Sequence, residues 1–61
     1  MEKSEIIALA EKIRRSETWE DEDLRALCEA AGMLDAYTAA DGETFEAVAF
    51  SAAEKLGVEI I

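Results

Sequence analysis

An all-α fold, a small three-helix bundle with a short extended C-terminal tail, is what the sequence predicts. Three observations carry it. Apolar residues recur at i, i+3, i+4 and i+7 in three separate stretches, the spacing that lines one face of a helix. Proline is absent, and the three glycines fall at the boundaries of those stretches. Sixty-one residues have room for three helices of ordinary length and little else. The reading is one domain over 1–61, with helices at about 4–15, 20–31 and 42–56.

In the first helix Ile6, Leu9, Ala10 and Ile13 form the stripe, with Ile7 on its flank. Ser4 stands where an N-cap is expected. Lys12, Arg14 and Arg15 occupy the last turn, where cations oppose the negative end of the helix dipole.

Leu24, Leu27, Cys28 and Ala31 make the second stripe, and Gly32 follows at the position that favours a left-handed residue, with Met33 or Leu34 able to fold back. Ahead of it, Glu20, Asp21, Glu22 and Asp23 fill the first turn. Free N–H groups and the positive dipole end both favour acids there. Two registers fit. Thr18 with Asp21 is spaced as a capping box; alternatively Glu20 or Asp21 caps and Trp19 staples onto Leu24.

Asp41 stands ahead of the third helix as its N-cap, with Gly42 and Glu43 in the first turn. Phe45, Val48, Ala49, Ala52 and Leu56 form its stripe, and Gly57 ends it with Val58 as the apolar follow-up. The segment "MLDAYTAA" between the second and third helices has room for about one helical turn. The closing "VEII" reads equally as a short strand or a packed extended end.

A chain this short buries only about 60% of the surface its unfolded form exposes. Such cores rarely supply more than about 3–5 kcal/mol, so a staple or a partner is expected. The lone Cys28 offers no disulfide, and with no histidine there is no zinc site. Close helix packing, a homodimer or docking on another protein remain. No apolar run approaches the roughly 20 residues of a membrane span. "MEKSEIIALAEK" lacks a signal-peptide core, and with one reduced cysteine the expected compartment is the cytoplasm.

The net charge of −9 is unevenly placed. Residues 16–46 hold ten acids against Arg25 alone, whereas residues 1–15 are net +1 and 47–61 net −1. Affinity for nucleic acid comes mostly from lysine and arginine on phosphates, so direct nucleic-acid or anionic-membrane binding is not expected.

Enzyme chemistry has little to stand on. There is no histidine to serve as base for a serine or cysteine nucleophile. Cys28 lies on an apolar stripe and reads as a buried, inert thiol. No glycine-rich phosphate loop is present, and no cofactor is implied. Asp35 and Glu46 are spaced as the ends of a calcium loop, but Tyr37 and Ala39 stand where oxygen ligands are needed and Ala40 takes the glycine position. Asp21 with Asp23, or Asp41 with Glu43, leaves only a weak carboxylate site for calcium as a third reading. A helix–turn–helix through "LRALCEAAGML" would place "LDAYTAADGE" in a DNA groove, and that segment carries three acids and no base.

Two features remain as candidate sites. One is the acidic surface: Glu17, Glu20, Asp21, Glu22, Asp23, Glu29, Asp35 and Glu46, of which capping explains only part. It reads either as a solvated face that keeps a small bundle soluble or as a surface for a basic partner. The other is a pair of apolar anchors. Phe50 stands about 140° around the helix from Phe45, and Trp19 lies in a connection. They read either as a wide core arc with Trp19 as a lid or as a patch that grips a partner or a second copy.

The stretches "ETWEDEDLRALCEAAGM" and "AADGETFEAVAFSAAEKLGV" resemble those of short acidic proteins encoded by phages and mobile elements of Gram-positive bacteria. The resemblance runs from about Glu17 to Val58 and carries over no catalytic or binding residues. It implies an accessory role directed at the host. Anti-CRISPR proteins and DNA mimics are often of this small acidic kind. The expected function is therefore a non-enzymatic protein-interaction module, with inhibition of a host nucleic-acid-binding or defence protein as its sharpest form. The rival is a small structural or assembly protein that self-associates through apolar helix faces.

Overall fold

The chain begins with α1, Lys3–Arg15, entered directly from Glu2 without a side-chain cap. The computed structural model describes residues 2–61, and all regular structure among them is helical. Ser4 is therefore inside the first turn rather than capping it. The buried members of α1 are Ala10 and Ile13, from the expected stripe. Each cation of its last turn finds an oxygen: Lys12 on Asp23, Arg15 on Glu11, and Arg14 on the Glu59 carbonyl.

The second helix, α2, spans Asp21–Ala30 and packs against each of the other three. Of the two entry registers the structure takes the one that starts after Glu20, although the Glu20 side chain makes no capping bond. Glu20 precedes the helix and its carbonyl accepts from Leu24 N–H at 3.1 Å, so Trp19 lies just outside and Leu24 one turn in. Thr18 makes no cap. At the other end Gly32 adopts φ 72°, Met33 N–H reaches the Cys28 carbonyl at 2.7 Å, and Gly32 N–H that of Glu29 at 3.0 Å. This pair of bonds is a Schellman closure, which the left-handed glycine makes possible.

The expected single turn after Gly32 is a helix in its own right, α3, Leu34–Ala39. The bundle therefore has four helices, not three. The reason is Tyr37: it packs into the common core, and its burial holds six residues helical that would not stay so alone.

The last helix, α4, spans Phe45–Leu56, three residues later than expected. Asp41 still serves as the cap, for the turn leading in. Its Oδ1 accepts from the N–H groups of Glu43 and Thr44 at 2.9 and 3.0 Å, and Thr44 Oγ1 accepts from Asp41 N–H at 3.1 Å. That reciprocal pattern is a capping box with threonine as its far member. Gly57, at φ 74°, closes α4 with a second Schellman pair, Val58 to Ala53 and Gly57 to Glu54.

Leu24, Leu27, Cys28, Ala49, Ala52 and Ile13 form the buried centre, and Tyr37 and Ile60 belong to the same cluster. Alanines on α4 let α2 approach closely. The tail is an extended end rather than a strand: Ile60 plugs the core while Ile61 stays 79% exposed. The radius of gyration, 10.2 Å, matches the roughly 10.5 Å expected of a folded chain of this length. No helix among the described residues is long and apolar enough to cross a membrane.

Candidate functional site

Most acids of the candidate surface are where a solvated helix face puts them. Glu17, Glu20, Glu22, Glu29, Asp35 and Glu46 are exposed, and none makes an ion pair among the described residues. Asp21 is exposed as well, and it pairs at 3.4 Å with Arg25, one turn along α2. Arg25 is the sole base between residues 16 and 46, so this pairing leaves the rest of that charge unbalanced.

Asp23 departs from the expectation. Its side chain is 9% exposed and faces α1, where Lys12 Nζ meets Oδ1 at 3.2 Å. The other oxygen, Oδ2, is buried without a hydrogen-bond partner. Asp23 thus joins α1 to α2 and is no part of an open surface. The helical register places it there: Asp23 precedes Leu24 and stands four residues before Leu27, which turns it inward with the stripe.

The two candidate anchors meet each other. The rings of Trp19 and Phe50 stand 5.3 Å apart at 70°, an edge-to-face contact. Trp19 is half-buried against the core and closes it as a lid, whereas Phe50 remains 40% exposed. Phe50 and the exposed Ile61 share a shallow depression with Val58, the buried Ala53 and Ile60, and the exposed Glu54 and Glu59.

Trp19 also lines a groove of about 400 Å³ formed at the entries of α2 and α4 together with Tyr37 and Thr38 of α3. Trp19, Leu24, Tyr37 and Phe45 supply its apolar lining, and Asp21, Arg25 and Asp41 its charges. The Tyr37 hydroxyl donates to Asp21 Oδ1 at 2.6 Å. This bond, with help from Arg25, holds the Asp21 carboxyl below its ordinary value of 3.8. Burial, and then the Asp21 carboxylate, push the Tyr37 hydroxyl up to about 12. Backbone N–H bonds from Glu43, with the Thr44 hydroxyl and N–H, lower Asp41 likewise. All the capping bonds fall on Asp41 Oδ1, which leaves Oδ2 without one.

This groove draws on residues the sequence reading treated singly or passed over. Tyr37 and Asp21 are 16 positions apart, and no periodicity links them. The available signal was modest: an isolated tyrosine in a short segment beside a capping aspartate, with a tryptophan at the preceding helix entry.

Cys28 is fully buried, and that burial raises its thiol pKa, as its place on the stripe implied. Among the described residues no three acidic or cysteine side chains converge closely enough to hold a metal ion. The class that fold and surface define is a small all-α domain with a strongly acidic middle. Comparison with protein families, curated proteins and solved structures finds no match to this chain.

Proposed function

We propose that this chain is a non-enzymatic interaction module that binds a basic surface of another protein through its acidic middle. One observation carries the reading. Six exposed carboxylates, Glu17, Glu20, Glu22, Glu29, Asp35 and Glu46, stand without a counter-charge around α2, α3 and the start of α4. Such a surface repels nucleic acid and attracts the lysine- and arginine-rich grooves that bind it. In its sharpest form the module occupies such a groove on a host or defence protein and denies it to nucleic acid.

The test is capture of partners from a Gram-positive lysate on the immobilised chain, washed in parallel at low and high salt. A nucleic-acid-binding protein held at low salt, shed at high salt and displaced by added DNA supports the reading. A partner whose retention is indifferent to salt and DNA overturns it.

Phe50 and Ile61, both exposed and lining one shallow depression, favour a second reading, self-association. A thermal midpoint that rises with protein concentration, and loses that dependence in Phe50→Ala, distinguishes it.

A further inference from the structure

We infer that the groove between the α2 and α4 entries is an anchoring pocket for an arginine side chain of the partner protein, a proposal that rests on the interaction reading above. The groove combines the two things a guanidinium needs. Trp19 and Phe45, both only partly buried, offer aromatic surface on which a flat cation stacks, while the buried Tyr37 contributes the hydroxyl that orients Asp21. Its charged groups are two carboxylates, Asp21 and Asp41, against one guanidinium, Arg25, so the groove is left one negative charge in excess.

The carboxylates are held ready by the fold. The Tyr37 hydroxyl at 2.6 Å fixes Asp21, and the capping bonds on Oδ1 fix Asp41 while its Oδ2 keeps its lone pairs free. Arg25 shows that a guanidinium fits against this wall. Its contact with Asp21 is long, 3.4 Å, with both side chains more than half exposed, so an incoming arginine competes with a weak internal partner. An anionic guest would meet two carboxylates. An aliphatic guest would leave the carboxylates desolvated without a partner. Arginine also suits the surroundings, because the acidic middle draws cations towards this groove from a distance.

Trp19 is the only tryptophan and lines the groove, so its emission and its indole N–H resonance report occupancy directly. The full chain is titrated with the blocked tripeptides Gly-Arg-Gly, Gly-Lys-Gly, Gly-citrulline-Gly and Gly-Leu-Gly at low salt. The expected result is a saturable Trp19 response to arginine, with citrulline weaker by at least about tenfold and lysine in between. Asp21→Asn with Asp41→Asn weakens the arginine response by a similar factor. Asparagine still accepts the Tyr37 bond and still caps, so the fold is retained. Glu5→Gln, on the far end of α1, leaves the response unchanged.

Equal binding of citrulline or leucine overturns the pocket, as does the absence of any arginine response at millimolar peptide. These comparisons need no variant. An arginine response that Glu5→Gln weakens as much as the groove substitutions also overturns it, because the attraction is then diffuse. In those cases salt-sensitive capture of a basic partner would still stand, so the failure of the pocket and the failure of the interaction reading are told apart.

Discussion

The Tyr37 hydroxyl lies 2.6 Å from the Asp21 carboxylate and joins the middle of α3 to the first turn of α2. The bond gives the short α3 a polar tie as well as a buried ring, and it has a pH signature. The folded protein holds the Tyr37 proton to about 12, above the ordinary 10.0. The folded state therefore binds that proton more tightly than the unfolded one, and the stability it contributes is complete below about pH 10 and lost between there and 12. Tyr37 is the only tyrosine, so the tyrosinate absorbance of the native chain reads it alone. A native midpoint near 10 would contradict the buried, bonded hydroxyl. Tyr37→Phe should keep the ring, lower the thermal midpoint by several degrees and reduce the alkaline loss, leaving the part carried by the buried Cys28 thiol.

At the acid end the sign reverses. Asp21 and Asp41 are both held below the ordinary 3.8 by their hydrogen bonds. Their contribution is present above about pH 4 and fades as pH falls through the lowered values. Denaturant midpoints measured down that range should decline, and Asp41→Asn should flatten the decline. An unchanged slope in Asp41→Asn would show that other carboxylates dominate.

Leu27 is 0% exposed at the point where α2 meets its neighbours. Truncation to alanine costs about 2–5 kcal/mol in a core that rarely supplies more than about 3–5 kcal/mol. Leu27→Ala should therefore show little or no helical circular dichroism at room temperature. Ile61→Ala, at the exposed end of the tail, should be indistinguishable from the parent.

Among the described residues Lys12 is the only partner of a carboxylate that already has one orphaned oxygen. Lys12→Met should destabilise by about 1–3 kcal/mol, towards the lower end because the lysine head is largely in water. Combining it with Asp23→Leu should recover most of the loss, since two apolar groups replace an imperfect buried pair. A double variant no more stable than Lys12→Met alone in urea unfolding would mean the pair is favourable in itself, and strictly additive losses would mean that the two side chains do not interact.

Glu29 separates stability from binding. It stands at the C-terminal end of α2, where a negative charge opposes the dipole and a lysine favours it by about 0.3–1 kcal/mol. Glu29→Lys should raise the thermal midpoint slightly while weakening capture of a basic partner at low salt. If capture is unaffected while stability rises, Glu29 lies outside the binding surface.

The sequence by itself determined the helical class, the stripes and the punctuation. Ala10, Ile13, Leu24, Leu27, Cys28, Ala49 and Ala52 are buried where the period placed them, and Gly32 and Gly57 close helices as left-handed residues. These properties are local. They depend on residues within a few positions of one another, which is the range that periodicity and capping report. Tertiary structure alone decided that α3 exists, because a six-residue helix depends on the burial of Tyr37. Packing of α1 against α2 likewise took Asp23 out of the acidic surface and set it against Lys12. The groove is a property of the assembled chain, since it joins Trp19, Asp21, Asp41 and Phe45 from the entries of α2 and α4 with Tyr37 from the middle of α3. The distances that give those side chains a common chemistry arise only when the helices pack.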